Sequence, residues 1–347
     1  MHLPRFSKTV SHSVAGLAVL TALSFPAQAG AFTGIYFFGD SLTDTGNVQT
    51  AYAGLPKLPG QPDVIPGAPY DAEGRASNGL LYADILAAGL GLDATASLRG
   101  GGNYAYGGAR TRYQLFGAPF QGILAQVDTY TSTHAADAGA LHVLWGGSNN
   151  LQDIVGGRTT DVNGQPIPDI AGTLFDMGTA LGQLYADGAR NFLVPNVANI
   201  ARTPRVNEAT GGNPVALAMV AGAVQAYNAQ LDLLLDNFEA MHPDAQLYRF
   251  DTYDFFEGVV GNAAAYGFSN VADRCYTGDD VGFTGGGSVC GSPSSYLFWD
   301  GIHPTAAAHG LLGNAMLQAV PEPTTWLLMA LGAVVIGVRV RAMRSAV

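Results

Sequence analysis

Three polar side chains stand where the sequence could do chemistry. Ser41 follows Gly39-Asp40 at the end of an apolar run, Ile35 to Phe38, and polar residues follow it. A buried strand ending in such a turn presents a hydroxyl at the C-terminal edge of a sheet, where open α/β sheets bind ligands. That hydroxyl becomes a nucleophile only if a base takes its proton and donors receive the oxyanion that forms. Asp300 and His303 can supply the base: the carboxylate orients the imidazole and stabilises its protonated form. Asn149, after the second apolar strand, can donate a side-chain amide to the oxyanion, and Gly108 a backbone N–H. Each motif alone is common. Their positions make the case, one after the first strand and the other before the last helix.

The elements that would carry these residues alternate. Strands are read at 34–39, 141–145, 191–197 and 245–250, with a short apolar run at 296–299. Helices are read at 121–134, 169–187, 214–241 and 305–319, and another is expected to start at Ser77-Asn78-Gly79. The alternation predicts an α/β fold, a mostly parallel sheet with helices on both faces. Residues 48–74 hold Pro56, Pro59, Pro62, Pro66 and Pro69 and read as a long irregular excursion, either a cleft wall or a surface loop. The run GGGNYAYGGA at 100–109 is too glycine-rich for a regular helix or strand. No repeat and no composition break divides residues 30–319. His142, inside an apolar strand, is expected in the core and His309 in solvent. Asp40 and Asp44 should bind the turn around Ser41, and Trp145 and Trp299 should pack in the core.

The chain has 347 residues, 48% hydrophobic and 12% charged, with a net charge of −11, enough apolar material for one large core. Arg5, Lys8, Arg339, Arg341 and Arg344 lie in the two ends, so the middle is more acidic still. Such a surface disfavours nucleic acid and anionic membranes as partners. Two cysteines, Cys275 and Cys290, show no zinc-binding spacing, and in an exported protein they would form a disulfide.

In order along the chain, four blocks resemble the GDSL, or SGNH, hydrolase superfamily, in particular the branch of plant GDSL lipases and thermolabile-hemolysin-like enzymes. They are Phe38-Gly39-Asp40-Ser41-Leu42-Thr43-Asp44-Thr45-Gly46-Asn47, Asn103-Tyr104-Ala105-Tyr106-Gly107-Gly108-Ala109, Gly147-Ser148-Asn149-Asn150 and Asp300-Gly301-Ile302-His303-Pro304. Gly74 to Gly79 resembles a further segment of that branch. The resemblance implies a three-layer SGNH sandwich over residues 30–319 and an ester hydrolase working through an acyl-enzyme, without metal or organic cofactor. It implies Ser41 as nucleophile, His303 and Asp300 as base and acid, and Ser41, Gly108 and Asn149 as oxyanion donors, with Gly107 the alternative to Gly108. Asn150 stands where the pattern has Asp. A carbohydrate O-deacetylase and a degenerate binding protein are the other readings of the same fold.

Both ends read as sorting signals. Residues 1–29 have the basic, apolar and Ala27-Gln28-Ala29 parts of a secretory signal peptide. Residues 320–347 combine Pro321-Glu322-Pro323, an apolar run at 324–338 and trailing arginines. This resembles the PEP-CTERM signal of Gram-negative bacteria. It implies exosortase-type sorting machinery as a partner, a transient inner-membrane anchor through a short transmembrane helix, and a final place at the cell surface or in the extracellular matrix. The substrate implied is an ester of a lipid, a short acyl group or an acetylated glycan.

Overall fold

A computed structural model describes residues 32–114, 118–161 and 163–320. The signal peptide read at 1–29 and the sorting tail after Val320, with its expected membrane span, lie outside the described residues. Among those described, no helix is long and apolar enough to cross a membrane.

The elements follow in the order β1 (Ile35–Phe38), α1 (Asn47–Ala53), α2 (Tyr82–Gly89), α3 (Ile123–Thr133), β2 (Leu141–Leu144), α4 (Ser148–Val155), α5 (Ile170–Asp187), β3 (Asn191–Pro195), α6 (Pro204–Thr210), α7 (Pro214–Met241), β4 (Gln246–Phe250), α8 (Thr252–Gly261), β5 (Asn270–Arg274), β6 (Tyr296–Phe298) and α9 (Ala306–Ala319). The main sheet runs β1-β2-β3-β4 and is parallel throughout, with Phe38 opposite Leu144 and Val143 opposite Leu193. Its strands are apolar on both faces because both faces are covered. Phe38, Leu144, Phe192 and Val194 pack against α3, α5 and α7. Ile35, Phe37, Val143 and Leu193 face the other way, onto α2 and α9. The expected α/β sandwich is therefore what the chain forms.

Several local expectations are corrected. The helix expected at Ser77-Asn78-Gly79 starts at Tyr82. Ser77 and Asn78 serve a distant segment instead: Ser77 Oγ donates to Pro304 O at 2.8 Å, and Ala306 N–H donates to Asn78 Oδ1 at 2.8 Å. The excursion at 48–74 is irregular only after α1, which begins at Asn47. Helices α4, α6 and α8 and strand β5 were not foreseen, because each is short and has no periodic run long enough to read, whereas β6, paired with β5, falls on the apolar run read at 296–299. The glycine-rich run forms no strand but lies along β1: Phe37 N–H donates to Gly102 O and Tyr104 N–H to Phe37 O. Gly102 permits that approach, since a Cβ there would lie 2.5 Å from Ile35 O.

His309 is also corrected. It is fully buried on α9, with Tyr82 N–H donating to its Nδ1 at 3.3 Å. The cause is the close packing of α9 on α2: at Gly313 a Cβ would lie 2.6 Å from that of Ile85. His142 is buried, as expected, with Tyr130 Oη 3.0 Å from Nε2.

Candidate active site

β1 ends at Phe38, and the chain turns at once. Gln126, buried on α3, clamps Gly39 from both sides, accepting from its N–H and donating to its carbonyl at 2.8 Å each. A side chain at position 39 would not fit, because its Cβ would meet Thr43 Oγ1 and Trp145 O at 2.9 Å. Asp40 accepts from Leu42 N–H at 3.0 Å, and Asp44 from the N–H groups of Gly46, Asn47, Val48 and Gly107. Both aspartates thus hold the turn, as expected of them. Ser41 sits between them at the mouth of the cleft.

The Asp300–His303 turn leads from β6 into α9. His303 Nε2 lies 2.8 Å from Ser41 Oγ, and Nδ1 lies 2.6 Å from Asp300 Oδ2. Asp300 is fully buried, and its Oδ1 accepts from the N–H groups of Ile302 and His303 at 2.8 Å each. Burial acts to raise the Asp300 carboxyl, but the His303 ring and those N–H groups outweigh it and hold it below its ordinary value. An ionised Asp300 fixes the proton on Nδ1 and leaves Nε2 as acceptor for the Ser41 hydroxyl.

The candidate oxyanion residues Ser41, Gly108 and Asn149 line the same cavity. The Gly107 N–H is already taken by Asp44, whereas the N–H groups of Gly108 and Ser41 have no partner among the described residues. That favours Gly108 over Gly107. Gly108 has φ +79°, a conformation glycine adopts freely, and Arg110 anchors its carbonyl at 2.8 Å. Arg110 is itself buried in a two-pronged pair with Asp153 on α4. Asn149, in the first turn of α4, donates from Nδ2 to Ala109 O at 2.9 Å and towards Asp40 Oδ2 at 3.3 Å. Burial pushes the Asp40 carboxyl up to about 6, against the pull of Leu42 N–H and His303.

Asn150, in place of the pattern's Asp, leaves nothing unsatisfied. Its Oδ1 accepts from Thr111 N–H, its Nδ2 donates to Thr111 Oγ1 at 3.2 Å, and Thr111 Oγ1 donates to Asp176 at 2.9 Å. The carboxylate of the network comes from α5 instead.

Two cavities open from Ser41. One runs inward between Leu42, Trp145, Phe256, Leu297 and Leu312. The other lies between the excursion, through Val48, Ile65 and Pro66, and the loop closed by the Cys275–Cys290 bond, through Asp280 and Phe283. Trp145 is therefore both core and cavity floor, while Trp299 is packed away against Tyr276. Among the described residues no group of three or more His, Cys, Asp or Glu could hold a metal ion.

Sequence reasoning missed Tyr70, Gln126 and Arg110. Tyr70 Oη donates to Asp300 Oδ2 at 2.8 Å from within the proline-rich excursion, where no pattern marks it.

Residues 35–316 match the model of the GDSL-like lipase/acylhydrolase family, and residues 319–342 match the PEP-CTERM protein-sorting motif, which marks proteins exported through exosortase-type sorting in Gram-negative bacteria. A GDSL esterase/lipase of Arabidopsis thaliana is 27% identical over 91% of this chain and 95% of its own length. A second from the same plant is 30% identical over 84% of this chain and 89% of its own. A solved α/β hydrolase from the metagenome of Lake Arreo, LAE5, superposes with a TM-score of 0.45 at 13% identity, over 84% of this chain and 97% of that one. With the family model spanning the whole sheet and both ends of the candidate site, the chain belongs to the GDSL-like lipase/acylhydrolase family of hydrolases.

Proposed function

We propose that the protein is an exported serine esterase that hydrolyses carboxylic esters through a Ser41–His303–Asp300 triad and an acyl-enzyme. The observation that carries this reading is the relay itself: 2.8 Å from Ser41 Oγ to His303 Nε2 and 2.6 Å from Nδ1 to Asp300. Ser41 Oγ attacks the ester carbonyl as its proton passes to Nε2. The oxyanion is received by the N–H groups of Ser41 and Gly108 and by Asn149, whose longer contact, to Asp40, is the one it exchanges. His303 then protonates the leaving alkoxide, and water, activated by the same ring, releases the acid.

The inward cavity suits the acyl chain. Its apolar walls, Leu42, Phe256, Leu297 and Leu312, would be left unfilled by an acetyl group. The second cavity suits the alcohol, with the Arg205–Asp280 ion pair (2.8 Å) on its wall. This favours an esterase or lipase over a glycan O-deacetylase.

A fluorophosphonate probe should label the folded wild type and not Ser41→Ala. Among p-nitrophenyl esters from acetyl to palmitoyl, butyrate to octanoate should exceed acetate in kcat/KM. An acetyl-only profile would replace the esterase with a deacetylase. Failure of the wild type to label would leave a binding protein on a hydrolase fold.

A further inference from the structure

We infer that Tyr70 is a positioning residue for the triad acid, aiming the Asp300 carboxylate at His303 from the proline-rich excursion. The inference rests on the triad reading above.

Four hydrogen bonds converge on Asp300, as many as a carboxylate's lone pairs accept. Two are backbone donors from its own turn, both on Oδ1, and the third is His303 Nδ1. The fourth, Tyr70 Oη at 2.8 Å, is among the described residues the one side chain from outside that turn, 230 residues away in sequence. It binds Oδ2, the same oxygen that His303 uses. With Oδ1 held by the turn and Oδ2 by Tyr70, the carboxylate plane is set, and the remaining lone pair of Oδ2 points at Nδ1.

Tyr70 is itself held rigidly. It is 6% exposed, edge-on to Tyr276, Phe283 and Trp299 at 5.5, 5.2 and 6.1 Å between ring centres. Tyr276 and Phe283 belong to the disulfide-closed loop, and Trp299 directly precedes Asp300. Burial, and then the Asp300 charge, push the phenol far above its ordinary range, so it stays a donor. The excursion and the disulfide loop thus meet at one hydroxyl behind the base.

Tyr70→Phe tests this. The ring cluster is kept and only the donor is lost. The hydroxyl draws negative charge away from His303, so its removal leaves more charge on Oδ2 to stabilise the imidazolium. The acid limb of the kcat/KM–pH profile should therefore move up by roughly half a pH unit. At the plateau kcat should still fall about tenfold, because the carboxylate is no longer held in line with Nδ1 and that misalignment outweighs the added charge, with KM little changed. The other charged or titratable groups around the relay, Asp40, Asp280, Arg205 and His309, are the same in both proteins.

Tyr276→Phe is the control, since it removes from the same cluster a phenolic hydroxyl that has no hydrogen-bond partner among the described residues. Its acid limb should match the wild type. A Tyr70→Phe profile superimposable on the wild type overturns the inference, as does an equal shift in Tyr276→Phe. A Tyr70→Phe protein too unstable to assay also overturns it, by assigning the residue to the fold. Wild type that does not label with fluorophosphonate sinks the triad reading itself, a separate outcome.

Discussion

Replacing Asp300 by Asn tests the relay most directly, because the structure dictates which way the new amide must face. Oδ1 of Asp300 accepts two backbone N–H groups, from Ile302 and His303, at 2.8 Å each. In Asp300→Asn only the carbonyl oxygen can sit there; an NH2 would set donor against donor twice, at several kcal/mol. The NH2 is therefore forced into the place of Oδ2, 2.6 Å from His303 Nδ1. It donates to Nδ1, and the imidazole carries its proton on Nε2 instead. That proton points at Ser41 Oγ, 2.8 Å away, and no base remains. The charge that would stabilise the imidazolium is lost as well. Wrong-tautomer substitutions of this kind cost about 10⁴ in kcat, which corresponds to about 5.4 kcal/mol of barrier. The Tyr70 hydroxyl can rotate to accept from the second amide hydrogen, so the fold should survive. The assay is steady-state hydrolysis of p-nitrophenyl butyrate beside the rate of fluorophosphonate labelling, with thermal melting as the folding check. A folded Asp300→Asn within tenfold of wild type in both rates would refute the relay.

Three further outcomes are expected. Asn149→Ala should lower kcat by about 10²–10³ with a smaller change in KM if the amide serves the proposed oxyanion role; a change confined to KM would remove Asn149 from that role. Replacing Cys275 and Cys290 by Ser should cost about 3 kcal/mol, from the 15-residue separation they close, and mass mapping without reductant should find them joined; two free thiols in exported protein would refute the bond. Stability should fall as pH drops from about 6.5 towards 4. Burial holds His142 down at about 4 and His309 at about 3, so the unfolded chain takes up protons there that the folded one refuses. Asp40, pushed up to about 6, and Asp44, also raised by burial, act oppositely as they protonate. A melting temperature flat from pH 7 to 4 would refute this.

The four strands and the α/β class were legible in the sequence because their signal is local. Runs such as Ile35–Phe38 and Leu141–Leu144 are apolar on both alternating faces, and a strand like that can only be buried between two layers. Ser41, Asn149, Asp300 and His303 were legible for a related reason: each directly follows such a run or precedes a helix, so the chain itself puts them at one sheet edge. Tertiary structure decided what depends on distant partners. Whether Gly107 or Gly108 keeps a free N–H turns on where the Asp44 carboxylate lies, 63 residues away. His309 looked solvated because its helix carries no marked apolar stripe, and it is buried because Gly313 lets α9 settle onto α2. Asn150 looked like a lost carboxylate until Thr111 and Asp176 closed its network from two other elements. Tyr70 had no sequence signal at all, since a tyrosine in a proline-rich loop acquires its meaning only when the fold brings it 2.8 Å from Asp300. Local pattern specifies which residues reach the sheet edge. The hydrogen bonds that orient them span tens to hundreds of residues, and only packing sets those.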